Sequence, residues 1–295
     1  MRIGLDLGGT KTEIVALDAS GQAILRRRVP TPRDYAEIIA TIGALVEAAE
    51  AELGTRATVG IGIPGSLSPA TRLVRNANST VLNGKPLDRD LATRLGREIR
   101  VTNDANCLAM SEAADGAGAG CDSVFAVILG TGVGAGLVVG GKLLEGPNRV
   151  AGEWGHNPLP WMTAEEFPGP RCWCGLTGCT ETFLCGPALA ADADGPGARD
   201  AATLPQRAVS GDTRAAAALA RHTDRLARAL AAVVNLLDPD VIVLGGGLSN
   251  MAHLYEDVPR LLPRHVFGDV AATPIRRAHH GDSSGVFGAA RLWEA

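Results

Sequence analysis

The sequence predicts an α/β protein made of two domains of related architecture. The chain has 295 residues, which is long for a single hydrophobic core and suits two packed domains. The order strand, glycine-rich turn, strand occurs twice, at residues 3–17 and 124–139. We interpret this as an internal duplication, although glycine-turned hairpins also occur in unrelated folds. A glycine- and alanine-rich stretch, Gly116–Gly120, then separates a smaller domain of residues 1–116 from a larger one of residues 117–283.

The elements of the first domain follow from apolar periodicity and from the turn residues between them. The first three strands are expected to form an antiparallel meander, and Pro32 and Asp34 mark the start of the first helix. The predicted strands cover residues 2–7, 13–17, 23–29, 59–63 and 99–102, and the predicted helices cover residues 35–53 and 87–95, with another helix after Asn103-Asp104.

The second domain is predicted on the same grounds. Residues 187–212 are rich in Ala, Asp, Gly and Pro, which predicts an irregular connection. The last helix, at about residues 284–295, is expected to pack back on the first domain. The predicted strands cover residues 123–129, 135–139 and 241–244, and a long helix covers Thr213–Leu237.

Composition and charge exclude several classes of protein. The formal net charge is −4, whereas a protein that binds duplex nucleic acid usually presents a basic surface. Apolar runs stay well below the roughly 20 residues that a membrane helix needs. Met1 and Arg2 lead directly into the first strand, so we expect no signal peptide and a cytoplasmic location. The six cysteines are then expected to be reduced thiols rather than a disulfide framework.

Three glycine-rich turns have chemistry that suits phosphate groups. Glycines let several backbone N–H groups converge on an anion, and Asp6, at the end of the first strand, could hold a hydrated Mg²⁺. The alternative for each turn is a plain hairpin, and neither the P-loop nor the Rossmann spacing is present. The candidate residues are Gly8, Gly9, Thr10 and Lys11 in the first turn, Gly130, Thr131 and Gly132 in the second, and Gly245, Gly246 and Gly247 in the third.

Three cysteines lie within eight residues of each other, at Cys172, Cys174 and Cys179. Together with His156 upstream, they provide the four ligands of a tetrahedral zinc site. The spacing differs from that of a zinc finger, so three buried free cysteines remain the alternative. A site with four protein ligands would be closed and therefore structural.

Asp104 follows a predicted strand and precedes a predicted helix. A carboxylate at a strand end is well placed to act as the base that accepts a hydroxyl proton in phosphoryl transfer. Asp is also one of the commonest helix N-caps. The residues by themselves leave both interpretations open.

Taken together, the three turns resemble the two phosphate segments and the adenosine segment of the actin and hexokinase superfamily. Gly152-Glu153-Trp154-Gly155-His156, followed by the cysteine cluster and Glu181, is similar to the signature of the ROK family of kinases and repressors. The resemblance implies an actin/hexokinase-like (ribonuclease H-like) ATPase fold with an interdomain cleft. It also implies an ATP-dependent sugar kinase that uses Mg²⁺, carries a structural Zn²⁺ and forms a homodimer.

The resemblance assigns roles to individual residues. Asp104 is the expected catalytic base, and His156 is expected to bind zinc, the sugar or both. Carboxylates and amides recognise sugars through paired hydrogen bonds to neighbouring hydroxyls, and Gly65 would let the backbone approach the ring. The sugar-binding residues implied are Gly65, Asn78, Asn103, Asp104, Glu153, His156 and Glu181.

Two segments narrow the expected substrate. Asn76–Thr80 and Glu153–Trp161 resemble the bacterial fructokinase (manno-fructokinase) branch, which implies conversion of D-fructose to fructose 6-phosphate. The alternatives are a broad gluco/mannokinase and an N-acetylglucosamine kinase, whose branch shares Pro30–Asp34 and the ending around His280–Asp282. A sugar-responsive transcriptional regulator is a remote alternative, because a strand at residue 2 leaves no room before it for a helix-turn-helix domain.

Overall fold

The computed structural model describes residues 1–281 and 284–293 of the chain. Its first part, up to residue 115, contains seven strands and three α-helices. The strands are β1 (Arg2–Leu7), β2 (Lys11–Leu17), β3 (Ala23–Pro30), β4 (Thr58–Ile63), β5 (Ser66–Leu67), β6 (Val74–Arg75) and β7 (Ile99–Asn103), and the helices are α1 (Tyr35–Leu53), α2 (Leu87–Leu95) and α3 (Asp104–Asp115).

The second part begins with a strand pair and continues with most of the helices. Its strands are β8 (Ser123–Leu129), β9 (Val133–Val139), β10 (Lys142–Leu143), β11 (Val241–Gly245) and β12 (Ile275–Arg277). Its helices are α4 (Glu181–Leu184), α5 (Gly186–Asp194), α6 (Leu204–Val209), α7 (Thr213–Leu237), α8 (Leu254–Leu261) and α9 (Ser284–Arg291). Short 3₁₀ helices occur at Thr80–Leu82, Trp154–His156, Gly247–Asn250 and Leu262–Arg264.

Ten of the strands form two five-stranded sheets, in the orders β3-β2-β1-β4-β7 and β10-β9-β8-β11-β12, and β5 pairs with β6. In both sheets an antiparallel hairpin, β1–β2 or β8–β9, is followed by two strands that pair in parallel. The predicted boundary near residue 116 falls in the segment between the sheets. The division into domains at residues 116 and 283 stays a prediction.

Parallel pairing places the carboxyl ends of neighbouring strands at one edge of each sheet. Asp6 of β1 lies opposite Gly62 of β4, and Ile63 lies opposite Asn103 of β7. In the second sheet, Gly245 at the end of β11 lies opposite Ile128 of β8. The topology therefore brings most of the predicted site residues to two strand edges, although they are far apart in the sequence.

Helix α9 returns to the first sheet and packs against β1, β4 and α3. The approach is so close that a Cβ atom at Gly60 would lie 1.9 Å from the carbonyl oxygen of Ala289, and one at Gly288 would lie 1.7 Å from that of Cys107. Glycine is required at both positions because the backbones touch there. The helix that was expected over residues 284–295 ends at Arg291, and residues 294–295, like Asp282 of the expected ending motif, lie outside the described residues.

One prediction about the fold is wrong. About half of residues 187–212 is helical, in α5 and α6, and only residues 195–203 and 210–212 are irregular. Each of these helices has a proline in its first turn, where the missing N–H costs nothing. Over residues 1–281 and 284–293, the helices are too short or too polar to cross a membrane.

Candidate active site

A cavity of about 660 Å³ lies between the two halves of the chain and is lined by residues from both. All seven of the predicted sugar-binding residues line it. The first sheet contributes residues that follow β4 and β7, and the second half contributes the turn between β8 and β9 and the segments around Glu153 and Glu181. The lining residues that were predicted are Gly65, Asn78, Asn103, Asp104, Glu153, His156 and Glu181.

Asn103 and Asp104 occupy different positions at the start of α3. Asn103 is the N-cap, and its side-chain oxygen accepts a hydrogen bond of 2.7 Å from the backbone N–H of Asn106. Asp104 is the first residue of the helix, and its Oδ1 accepts from the N–H of Ala105 at 2.8 Å. The cap that the sequence allowed for Asp104 is therefore provided by Asn103.

Two carboxyl groups in this region have raised pKa values. The side chain of Asp104 is exposed to the cavity, and the protein atoms packed around its base, with a smaller contribution from Glu153, disfavour its charged form and raise its pKa. Burial raises the pKa of Asp6 to about 6, and the charge of Asp104 adds to the effect. Asp6 and Asp104 are therefore close enough to interact, as expected for the ends of β1 and β7.

Glu181 connects two parts of the site. Its Oε2 accepts a hydrogen bond of 2.9 Å from the N–H of Val133, at the start of β9. Its Oε1 accepts one of 2.7 Å from the indole N–H of Trp173. The carboxylate is thus held between the glycine turn at residues 130–132 and the cysteine-rich loop.

The second glycine turn lies between two cavities. Thr131 lines the 660 Å³ cavity and also a second cavity of about 710 Å³. Gly130 and Gly247 line this second cavity. Gly245 is instead the last residue of β11 and packs on Leu108, while Gly246 has a left-handed backbone (φ +79°) and packs on Leu129.

The first glycine turn lines an adjoining cavity of about 300 Å³, which shares Asn78 with the large one. Gly8 and Gly9 face this space. The N–H of Gly8 donates to the carbonyl of Lys11 at 3.0 Å and so closes the hairpin. Thr10 and Lys11 are exposed at its tip.

Several lining residues were missed by sequence reasoning. Trp173 and Asn76 line the 660 Å³ cavity, and the second cavity is walled by residues 199–206 of the segment that was expected to be irregular. The position of Trp173 between two cysteines was a usable signal. Nothing in the local sequence of residues 199–206 indicates a cavity wall, because that role depends on packing against Leu248 and Met251 of a distant segment.

His156, Cys172, Cys174 and Cys179 form a candidate metal site, with one ligand atom from each, all within 4.8 Å of one another. Cys172 Sγ lies 3.6 Å from His156 Nδ1, and Cys174 Sγ lies 3.6 Å from Cys179 Sγ. Tetrahedral zinc with bonds of about 2.3 Å to sulfur and about 2.0 Å to nitrogen spaces its ligand atoms about 3.5–3.8 Å apart. The donor set and its spacing therefore fit zinc. Nδ1 of His156 faces the cluster, which leaves Nε2 for a second partner.

Comparison with known proteins gives one consistent family. The ROK family profile matches residues 2–295. The N-acetyl-D-glucosamine kinases of Yersinia enterocolitica and Vibrio cholerae are 38% and 40% identical to this chain, over 99% of each sequence. A ROK hexokinase from Thermus thermophilus has a TM-score of 0.87 and 33% identity, covering 99% of this chain and 96% of that one. A ROK family glucokinase from Streptomyces griseus, in complex with glucose and AMPPNP, has a TM-score of 0.77 and 29% identity, covering 99% and 98%. The predicted α/β fold of the hexokinase type is confirmed.

The prediction of a fructokinase is wrong, because the curated relatives named above are N-acetyl-D-glucosamine kinases. Parts of the two segments that suggested fructose serve the loops themselves. Ala77 of the first segment is held by Asn83, three residues beyond its end, which hydrogen-bonds to both the N–H and the carbonyl of Ala77. Pro158 pairs with Cys179, and the carbonyl of Trp161 accepts a hydrogen bond from Arg228. These residues support loops, whereas Asn78, Glu153 and His156 of the same two segments line the 660 Å³ cavity.

Proposed function

The chain belongs to the ROK family, and we propose that it is an ATP-dependent N-acetyl-D-glucosamine kinase that phosphorylates the 6-hydroxyl of the sugar. The observation that carries the kinase chemistry is the position of Thr131, which lines both large cavities. A sugar in one cavity and a nucleotide base in the other would bring acceptor and donor together at this turn. The identity of the sugar is supported by the full-length similarity to the curated kinases.

Asp104 is the proposed base. It accepts the proton of the 6-hydroxyl while that oxygen attacks the γ-phosphorus in line, and the bond from this phosphorus to the β–γ bridging oxygen breaks to release ADP. The raised pKa of Asp104 suits this role, because a base works best when its pKa lies near the working pH. Closure of the cleft would exclude the water that otherwise hydrolyses ATP.

The phosphates of ATP are proposed to lie along the turns Gly8–Lys11 and Gly130–Gly132, and the adenine base is proposed to lie near Gly247. Asp6 is the residue that would hold a hydrated Mg²⁺, which neutralises phosphate charge when it is bound. Asn78, Asn103, Glu153, His156 and Glu181 would hydrogen-bond the sugar hydroxyls.

The four-residue cluster around His156 is proposed to hold a structural Zn²⁺. Its ligands tie the loop of residues 156–179 together, and this loop carries residues on the wall of the sugar cavity. A homodimer stays a prediction, which sedimentation velocity of the purified protein would test.

A coupled assay of ADP release with Mg·ATP tests the proposed function. N-acetylglucosamine should have a higher kcat/KM than glucose, mannose or fructose, and Asp104→Asn should abolish turnover. The matched control is Asp115→Asn, at the other end of the same helix, which should remain active. A higher kcat/KM for another hexose would refute the substrate, and an active Asp104→Asn variant would refute the mechanism.

A further inference from the structure

Trp173 is a large aromatic side chain in an unusual place. It is 64% exposed, although it lies between Cys172 and Cys174 of the candidate metal site. Its ring lines the 660 Å³ cavity. The backbone around it forms a tight turn, in which Cys172 N–H donates to the carbonyl of Leu176 at 2.8 Å and Gly175 N–H donates to that of Cys172 at 3.0 Å. The side chain is therefore presented to the cavity by a hydrogen-bonded turn.

Two contacts fix the direction of the indole. Its N–H donates to Oε1 of Glu181 at 2.7 Å. Its ring meets the ring of His156 edge-on, with centroids 4.9 Å apart and an interplanar angle of 86°. A hydrogen bond from a neutral donor to a carboxylate is among the stronger hydrogen bonds in proteins. Trp173 thus holds one oxygen of Glu181, while Val133 holds the other.

We propose that Trp173 is a sugar-site residue with two functions: it positions the carboxylate of Glu181, and its exposed ring packs against an apolar face of the bound sugar. A hexose presents C–H groups on its ring faces, and an acetamido group adds a methyl. Aromatic rings give such groups a large contact area while a polar edge stays hydrogen-bonded. The cysteine-rich loop then contributes directly to sugar binding as well as to stability.

This inference rests on the proposed function, and two variants separate the two roles of Trp173. Trp173→Phe keeps an aromatic ring but removes the N–H, and Trp173→Ala removes both. Loss of a hydrogen bond to a charged group should raise the KM for N-acetylglucosamine about tenfold in the Phe variant. The KM of the Ala variant should be higher still, because the ring contact is lost as well. The kcat should change little, because Trp173 is not expected to contact the transferred phosphoryl group.

Tryptophan fluorescence gives a readout that is independent of turnover. Sugar binding should change the emission of the wild-type protein, and Trp173→Phe should lose this change. The matched control is Trp161→Phe, which replaces another exposed tryptophan of the same region, one whose ring stacks on His265 at 5.1 Å. This control should keep both the emission change and the wild-type KM.

Bound zinc, emission and turnover together decide the outcome. Equal zinc content in the wild type and in both Trp173 variants is expected. A sugar-dependent emission change that survives in Trp173→Phe, an unchanged KM in Trp173→Ala, or loss of zinc from both variants would overturn the proposal. If the wild type does not phosphorylate N-acetylglucosamine but glucose or mannose still gives a Trp173-dependent emission change, the proposed substrate fails and the role of Trp173 stands. If none of these sugars changes the emission, the role of Trp173 fails.

Discussion

Replacing Asp6 by Asn should stabilise the ligand-free protein at pH 8 and change its stability far less at pH 4. Burial, and to a smaller degree the charge of Asp104, raises the pKa of Asp6 from 3.8 to about 6 in the folded protein. Above pH 6 the Asp6 carboxylate is charged in both states, but only in the native state is this charge buried and therefore unfavourable. The amide of Asn has a similar shape and no charge, so the substitution removes this cost.

The magnitude follows from the pKa shift. About two pH units at about 1.4 kcal/mol each give a cost of roughly 3 kcal/mol at pH 8. At pH 4 the folded protein holds the proton and the cost falls to roughly 0.5 kcal/mol. The sign is that of a raised carboxyl pKa: this group destabilises the native state progressively as the pH rises through 4 to 6. The difference between the variant and the wild type should therefore grow by roughly 2–3 kcal/mol between pH 4 and pH 8.

Urea unfolding of both proteins without nucleotide or Mg²⁺ measures this difference. Asp18→Asn is a control of opposite sign, because hydrogen bonds from Ser20 and Gln22 lower the pKa of Asp18 and its loss should destabilise the protein at pH 8. A difference for Asp6→Asn that stays constant from pH 4 to pH 8 would refute the reasoning. The variant should also lose kinase activity, so that stability and catalysis change in opposite directions.

Three further predictions follow from other parts of the structure. Gly60→Ala should destabilise the protein by about 1–3 kcal/mol or more, because its Cβ would overlap a carbonyl oxygen of α9. Thermal unfolding measures this loss. Gly268→Ala is the control that should be unaffected, because its Cβ would lie no closer than 3.5 Å to another atom. The kcat/KM should fall on acidification with an inflection above the ordinary carboxyl range, because Asp104 must be deprotonated to act as base and its pKa is raised; a rate that is independent of pH from 8 down to 4 would exclude this base. Arg228→Met should lower the free energy of unfolding in urea by about 3 kcal/mol, because the largely buried carboxylate of Glu166 loses the hydrogen bonds from Arg228 to both of its oxygens. An unchanged midpoint would show that this ion pair adds no stability.

Much of the fold could be predicted from local sequence signals. The bounds of α1 agree with the prediction, because Asp34 caps its start and Gly54 ends it with a left-handed backbone (φ +63°). The bounds of α2 and α7 also agree with the prediction, and α2 ends at a second left-handed glycine, Gly96. These signals operate within a few residues of the chain, so a single sequence contains them.

The candidate site was predictable where a motif carries its chemistry. The structure brings His156 and the three cysteines together and places Asp104 in the lining of the 660 Å³ cavity. The roles assigned to these residues stay predictions. The wall around Pro205 depends on which distant segments pack together, so the sequence could not indicate it. The preferred sugar depends on the shape of the cavity, and Asn83 shows how a residue that resembles a ligand-binding group can serve its own loop instead.

The packing of α9 has a consequence for the order in which the protein is made. Strands β1 and β4 are synthesised more than 200 residues before the helix that covers them. Until residues 284–291 have been synthesised, the groove at Gly4 and Gly60 has no cover and the apolar face of the first sheet is incomplete. The packing of the first sheet is thus completed only when α9 has been made, so deletion of α9 should impair the folding of residues 2–63.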